Sequence, residues 1–197
     1  MSDNYVLILY YSRHGSTRAL AESIAQGVEE SGIEARLRTV APISAECEQV
    51  SDSIPSDGDL YCQHDDLQHC SGLILGSPSH FGNMAAALKY FIDSTAQLWL
   101  SGALIGKPAG VFTSSSSLHG GQESTQLNMM LPLLHHGMLI CGLPYSEPAL
   151  HKTQTGGTPY GPSHYSHERN TALNADEQAL AKHFGQRIGK LAQTLSA

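Results

Sequence analysis

The sequence is poor in cysteine and in basic residues, and each shortage excludes a class of protein. Lysine and arginine total 11 against 18 acidic residues, a formal net charge of −7, which leaves no positive field for a nucleic-acid partner. The cysteines form no C-x-x-C pair, which excludes a thioredoxin motif, and they are too few for a disulfide scaffold. We therefore expect reduced thiols at all four positions, Cys47, Cys62, Cys70 and Cys141.

Long apolar runs are also missing. The N-terminal segment, MSDNYVLILYYSRHG, is too short in its apolar part to span a bilayer and lacks the basic flank and cleavage site of a signal peptide. A cytoplasmic protein with no membrane partner is therefore predicted. The length of 197 residues and the hydrophobic content of 41% suit one buried core, which predicts a single domain over residues 1–197.

Short apolar runs alternate with longer segments of helical period, a pattern typical of an α/β protein with a parallel sheet. In the first helix Leu20, Ile24 and Val28 recur on one face before Gly32 ends it. The predicted strands are Tyr5–Tyr11, Ala35–Val40, Gly72–Gly76, Ala109–Thr113 and Met138–Cys141. The predicted helices are Ser16–Ser31, Met84–Leu98, Glu123–His136 with an interruption near Pro132, and Ala175–Leu195 with Asn174 as N-cap.

Two long segments show neither the apolar run of a buried strand nor the period of a helix. Ala41–Leu67 is polar and rich in turn residues, which predicts a surface excursion. Gly142–Asn170, rich in glycine, proline and histidine, is too long to lack a function. Near the end of the first segment four soft metal ligands occur without the usual zinc-finger spacing, so an ordinary polar loop is favoured over a metal site; they are Cys62, His64, His69 and Cys70.

Three loops follow the first, third and fourth strands, and the strands of a parallel sheet direct them to one edge, where ligands usually bind. The first loop precedes a helix N-terminus and suits a phosphate group; it comprises Ser12, Arg13, His14, Gly15, Ser16 and Thr17. The second loop suits the edge of a planar ring; it comprises Pro78, Ser79, His80, Phe81, Gly82 and Asn83. The third loop suits the face of a flat ligand; it comprises Ser114, Ser115, Ser116, Ser117, Leu118, His119 and Gly120.

Each loop taken alone also has an ordinary structural interpretation. Serine and threonine at a helix start are common caps, the second loop is compatible with a simple turn, and the third with a flexible surface loop. The sequence contains no Walker loop, no G-x-G-x-x-G fingerprint and no G-x-S-x-G elbow. Together, however, three such loops at one edge favour a mononucleotide cofactor.

The chain resembles the WrbA-type NAD(P)H:quinone oxidoreductases, tetrameric flavodoxin-like FMN proteins, over nearly its whole length. The motifs that carry the resemblance are, in order, Ser12–Thr17, Pro78–Met84, Leu98–Lys107, Gly120–Glu123, His135–Met138 and Gly156–Gly161. The resemblance implies a flavodoxin-like, doubly wound α/β fold with a five-stranded parallel sheet of order 2-1-3-4-5 and helices on both faces. It also implies a homotetramer in which neighbouring chains help to build each site.

For function, the resemblance implies an FMN-dependent oxidoreductase that transfers two electrons from NADH or NADPH to quinones. The first loop would hold the FMN phosphate, and Ser79, His80 and Phe81 would lie along the isoalloxazine ring. The third loop and His135 would surround that ring.

The same resemblance assigns three further roles. His14 would lie near the nicotinamide, and Trp99 would lie beside the quinone. His135 is the candidate catalytic residue, as a proton relay or hydrogen-bond donor. A buried structural role for His135 and simple packing for Trp99 are the alternatives.

The sequence departs from the family pattern at three places. His14 stands where a tyrosine is common, His80 stands where the family has an arginine, and the third loop is longer and rich in serine. Because an imidazole supplies a weaker positive field than a guanidinium, we expect weaker FMN binding than in an arginine-bearing relative. The substitution at position 80 keeps open the alternative of a non-enzymatic flavodoxin-like electron carrier or protein-binding module.

Overall fold

The structure is a computed structural model and describes residues 4–44 and 54–196. Its strands are β1 (Tyr5–Tyr10), β2 (Glu34–Thr39), β3 (Gly72–Pro78), β4 (Pro108–Ser115), β5 (Leu139–Ile140) and β6 (Ser163–Tyr165). The first five are parallel in the order β2-β1-β3-β4-β5. The predicted flavodoxin-like strand order is thereby confirmed.

Helices cover both faces of the sheet. They are α1 (Ser16–Glu30), α2 (His64–His69), α3 (Ala86–Asp93), α4 (Ala96–Leu100), α5 (Gln122–His135), α6 (Ala149–Lys152) and α7 (Ala175–Leu195), with a 3₁₀ turn at His167–Arg169. Side chains alternate along β1, so Val6 and Ile8 join the apolar cluster under α1 and α7, whereas Leu7 and Leu9 join the one on the opposite face. All residues of β1 and β4 are buried, as expected for central parallel strands.

Two helix predictions need correction. The predicted helix Met84–Leu98 is two helices, because the hydroxyls of Ser94 and Thr95 donate to the carbonyls of Phe91 and Ile92 at 2.6 and 2.7 Å and compete with the helical bonds. The predicted interruption near Pro132 is wrong, since α5 contains this proline and runs on to His135. The closing helix matches its prediction at both ends.

The two long segments are more ordered than predicted. The first contains α2 with Leu67 buried, although residues 45–53, including Cys47, lie outside the described residues. The second contains α6, β6 and the 3₁₀ turn. Because β5 pairs only with the start of β4, the later half of that edge is free to pair with β6. Ser114 and Ser115, predicted as loop, are therefore strand residues.

Within the two described ranges, none of the helices is long and apolar enough to cross a membrane. The thiols of Cys62, Cys70 and Cys141 are free.

Candidate functional site

A cavity of about 230 Å³ lies where β1, β3 and β4 end. We call it the hydroxyl cavity, because eight of its twelve lining residues carry hydroxyl groups: Ser12, Ser16, Thr17, Ser79, Ser114, Ser115, Ser116 and Ser166. The other four are Arg13, His14, Pro78 and His80. Residues of all three predicted loops therefore meet at one cavity, as the parallel sheet requires.

The first loop brings a helix N-terminus to this cavity. Ser12 Oγ accepts hydrogen bonds from the N–H groups of Gly15 and Arg18 at 3.2 and 3.3 Å. Gly15 is the N-cap of α1 at a φ of 91°, with no side-chain cap, a conformation that favours glycine. The first-turn amides lack intrahelical acceptors and carry the positive end of the helix dipole. Since Ser16 and Thr17 line the cavity, this end is suited to an anion.

Hydrogen bonds fix the three loops to one another. Thr17 Oγ1 and Ser114 Oγ lie 2.8 Å apart, and both residues are buried. The Ser79 amide donates to the Ser114 carbonyl, and Ser79 Oγ donates to the Gly120 carbonyl, each at 2.8 Å. Thr125 Oγ1 donates to Ser79 Oγ at 2.9 Å. The cavity wall is thus held in place by the chain itself.

The second loop presents an aromatic side chain to solvent. His80 and Asn83 exchange backbone hydrogen bonds of 2.8 and 3.1 Å around a tight turn. Phe81 in that turn has a φ of 53° and is fully exposed. A bulky side chain in the left-handed region is strained, so the turn holds Phe81 outward at an energetic cost. Phe81, Gly82 and Asn83 do not line the hydroxyl cavity.

A second cavity, of about 510 Å³, lies beside the third loop, and we call it the outer cavity. It is lined by Leu118, His119, Gly121, Gln122, Glu123, Ser124, Thr155, Gly157, Thr158 and Ser163. Ser117 and Gly120 line neither cavity, and Gly15 supports the hydroxyl cavity without lining it. A Cβ atom on Gly121 would come within 3.1 Å of Gly82 Cα, so the second and third loops touch through their backbones.

His135 and Trp99 lie together elsewhere. The Trp99 Nε1–H donates to the His135 carbonyl at 2.9 Å, and both residues line a third cavity of about 400 Å³, here named the indole cavity. α5 begins beside the outer cavity, and its 14 residues extend about 20 Å to His135. His135 and Trp99 therefore do not line the hydroxyl cavity of their own chain.

The buried histidine of this region is His136. The Thr95 hydroxyl donates to the Ile92 carbonyl at 2.7 Å, so its oxygen accepts from His136 Nε2–H at 2.9 Å. His136 Nδ1 is buried without a partner in the described part of the chain. Burial, and then the neighbouring His135, lowers the pKa of His136. His136 is accordingly neutral and structural, whereas His135 is exposed.

The four soft ligands noted in the sequence do not form a metal centre. Cys62 and Cys70 are buried, whereas His64 and His69 are exposed on α2. Burial raises the pKa of the Cys70 thiol to about 11 and raises that of Cys62 still further, so both are protonated. Among residues 4–44 and 54–196, no three His, Cys, Asp or Glu side chains converge to hold a metal ion.

Ser166 was missed by the sequence analysis. It lines the hydroxyl cavity from the long segment after β5, where its amide donates to the Ser115 carbonyl at 2.8 Å. No motif marks this serine, and the length of the segment was the available signal.

Comparisons with known proteins identify the family of the chain. Residues 5–146 match the family model of the NADPH-dependent FMN reductases. A protein of Syntrophobacter fumaroxidans named NAD(P)H dehydrogenase (quinone) is 40% identical, with 97% of this chain and 98% of that protein covered. A protein of the same name from Solidesulfovibrio magneticus is 34% identical, with coverage of 98% and 99%.

The fold has solved counterparts as well. A WrbA-like flavodoxin from Agrobacterium tumefaciens superposes with a TM-score of 0.67 at 24% identity and covers 98% of this chain and 99% of its own. A flavodoxin from the domain Archaea superposes with a TM-score of 0.63 at 16% identity, with the same coverage. These likenesses concern the fold, whereas the family model spans most of the sequence. The chain belongs to the NADPH-dependent FMN reductase family.

Proposed function

We propose that the chain is a WrbA-type, FMN-dependent oxidoreductase that transfers two electrons from NADH or NADPH to quinones. The observation that carries the proposal is the hydroxyl cavity at the start of α1, which offers an anion site beside the two loops suited to a planar ring. Relatives named NAD(P)H dehydrogenase (quinone), matched over nearly their full length, support the same activity.

The residues present fit a phosphate monoester. Ser12, Ser16 and Thr17 offer hydroxyls beside the first-turn amides of α1, and hydroxyls and helix N-termini are common phosphate ligands. Arg13 supplies the permanent positive charge of the lining. The Thr17–Ser114 contact holds one wall of this cradle in position before any ligand arrives.

The planar part of FMN would lie toward the second and third loops. At about 230 Å³ the hydroxyl cavity is smaller than typical ligand sites, which occupy roughly 300–1,000 Å³. A mononucleotide seated by its phosphate would therefore extend past Ser79 and His80 toward the exposed Phe81. When bound, FMN supplies the redox chemistry, and the protein positions the electron donor and acceptor. His14, exposed at the rim, is proposed to face the nicotinamide.

We propose that a homotetramer completes the site. Leu127, Leu131 and Leu134 form an apolar stripe on α5 and are 45, 55 and 54% exposed, and Trp99 is 54% exposed. An apolar surface of this kind marks an interaction site. In such an assembly His135 and Trp99 of one copy would face the second loop of another, which reconciles their expected roles with their distance from the cavity of their own chain. The proposal includes one domain over residues 1–197 and a cytoplasmic location.

A steady-state assay tests the proposed function. Purified protein loaded with FMN is expected to oxidise NADH or NADPH when benzoquinone is added, with the parallel double-reciprocal lines of ping-pong kinetics. An FMN-binding protein with no such turnover would favour an electron carrier. A chain that does not bind FMN would favour a protein-binding module.

A further inference from the structure

Glu177 collects five hydrogen bonds although it is only 2% exposed. Its Oε1 accepts from Thr155 Oγ1 and Gly156 N at 3.0 Å and from Tyr165 N at 3.1 Å. Its Oε2 accepts from His164 Nδ1 at 2.9 Å and from Asn174 N at 3.1 Å. A buried carboxylate with this many donors is well compensated for its loss of hydration.

One of these bonds belongs to the helix cap, and the other four reach outside it. Asn174 and Glu177 form the capping box at the start of α7. In a capping box the carboxylate accepts one hydrogen bond, which here comes from the Asn174 amide. The remaining donors lie in residues 155–165, which carry no part of α7. The carboxylate therefore fixes a segment that helix capping does not require.

That segment contributes to the walls of the outer cavity and the hydroxyl cavity, at the edge of the sheet where the parallel strands have their carboxyl ends (the carboxyl edge). Thr155 and Ser163 line the outer cavity, and Ser166, the residue directly after the segment, lines the hydroxyl cavity. β6, which contains His164 and Tyr165, pairs with the end of β4 that carries Ser114 and Ser115. Displacement of this segment would therefore move lining residues of both cavities.

The His164 imidazole extends the same network. Its Nδ1 faces Glu177, and its Nε2 lies 2.9 Å from the Asn170 carbonyl. Two acceptors on one ring are best matched by an imidazolium, which donates from both nitrogens. Because the side chains of the pair are 1 and 2% exposed, water does not replace either partner.

We propose that Glu177 is a positioning residue for the cofactor cavity, which holds residues 155–166 against β4 so that Ser166 and the β4 serines keep their places. This inference rests on the proposed function, because its main readout is FMN affinity. Glu177 itself lines neither cavity, so it acts through the segment.

Glu177→Gln tests the role at nearly constant volume. An amide NH₂ cannot accept, so the donors on one side of the group lose their acceptor. The dissociation constant of FMN is expected to rise about tenfold. Hydrogen exchange in the FMN-free protein should accelerate at the amides of Gly156 and Tyr165, which reports on the segment independently of the cofactor.

Asp66→Asn is the matched control. Asp66 accepts from the Gln63 amide at 2.9 Å in the capping box of α2, and it lines none of the three cavities described. FMN affinity should be unchanged in this variant. If Glu177→Gln does not fold, His164→Phe removes one of the five bonds to Glu177 together with the bond from His164 to the Asn170 carbonyl, and it keeps an aromatic ring at this position. A higher dissociation constant of FMN and faster exchange at Gly156 and Tyr165 are again expected.

The outcomes separate the inference from the function. A wild-type protein that binds no FMN contradicts the proposed function, whereas faster exchange in the variant would still support the fixing of the segment by Glu177. If the wild type binds FMN and the folded variants bind it equally well, Glu177 is not a positioning residue. Equal losses in Glu177→Gln and Asp66→Asn would also overturn the inference, because they would show a general effect of helix capping.

Discussion

The hydroxyl cavity and the indole cavity differ in how completely one chain builds them. Around the hydroxyl cavity, side-chain and backbone hydrogen bonds join the three loops, and Thr17 and Ser114 are buried. Trp99, which lines the indole cavity, is 54% exposed, and the leucine stripe of α5, the helix that also supplies Pro132 and His135 to this cavity, is exposed as well. The first is organised by polar contacts within the chain, and the second leaves apolar surface uncovered.

This contrast assigns different tasks to the two regions. A polar wall with a helix N-terminus recognises an anion in a single chain. An apolar surface with an exposed indole and an exposed imidazole is stabilised when a neighbouring chain covers it. Variants at the hydroxyl cavity should therefore change FMN affinity, and variants at the indole cavity or the leucine stripe should change assembly and quinone turnover.

The largest effect is expected from a charge on the leucine stripe. Leu131→Glu should convert the proposed homotetramer to smaller species, because an exposed carboxylate opposes burial of that face. Quinone turnover should fall about 100-fold as His135 and Trp99 lose their place beside a neighbouring site. Analytical ultracentrifugation and the benzoquinone assay measure the two changes. Leu60→Glu is the control, since Leu60 is 54% exposed against 55% for Leu131, and it should change neither.

Thr17→Val should separate cofactor binding from assembly. Valine keeps the shape of threonine, but the buried Ser114 hydroxyl loses its partner, which costs about 1–3 kcal/mol. We expect FMN affinity to fall at least tenfold, with the oligomeric state of the wild type retained. In the indole cavity Thr95→Val removes an equally buried hydroxyl beside His136, and FMN affinity should be retained. Equal loss in both variants would remove the contrast between the cavities.

His80→Arg should strengthen FMN binding. His80 is exposed and lines the hydroxyl cavity, so a permanent guanidinium there gains a charge-assisted contact of about 1 kcal/mol, or roughly fivefold in affinity. Fluorescence titration of FMN measures it. His119→Arg places the same charge at the outer cavity and should change FMN affinity less. An unchanged affinity in His80→Arg would show that the weaker field of the imidazole is not limiting.

The smallest effect concerns pH. Burial of His164 and Glu177 opposes charge on both side chains. The hydrogen bond between them outweighs this effect, so the pKa of His164 is raised above 6.5 and that of Glu177 is lowered below 4.5. The stabilising contribution of His164 is thus complete below pH 6.5 and is lost as pH rises through its raised pKa. That of Glu177 is complete above pH 4.5 and is lost as pH falls through its lowered pKa.

Between those limits both contributions are present. The free energy of unfolding lost in His164→Phe should therefore be greatest near pH 5.5 and smaller, by about 1 kcal/mol, near pH 9. Urea titrations at the two pH values measure this difference. A loss that does not depend on pH would show that folding leaves the pKa of His164 unchanged, and a loss that is smaller at pH 5.5 would show that His164 is uncharged in the folded chain.

Much of the lining of the hydroxyl cavity could be predicted, because its loops directly follow strands that the sequence pattern identifies. Parallel strands had to bring the first three loops to one edge, and Ser12, Ser79 and Ser116 meet there. The position of His135 was not predicted, because an interruption of the helix was expected near Pro132; α5 instead runs without a break for 14 residues, away from the edge of the sheet where it starts. The family resemblance supplied roles for His135 and Trp99 without saying which chain of an assembly would provide them.

Other features depended on contacts distant in sequence. Ser115 is a strand residue because Tyr165 pairs with it. The sequence pattern of residues 114–120 alone does not indicate that pairing. The capping box of Asn174 and Glu177 can be recognised from spacing, but the bonds from Thr155 and His164 arise only in the folded chain. The exposure of Leu131 likewise required the packing of α5 against the sheet.

The proposed function requires that the hydroxyl cavity of each chain hold FMN. The most direct measurement is to add FMN to the purified protein, remove the excess by gel filtration and record the visible absorption spectrum of wild type beside Thr17→Val. Shifted flavin bands at one FMN per chain are expected in the wild type, with weaker retention in the variant. A colourless wild-type protein, or equal retention in both, would contradict this expectation.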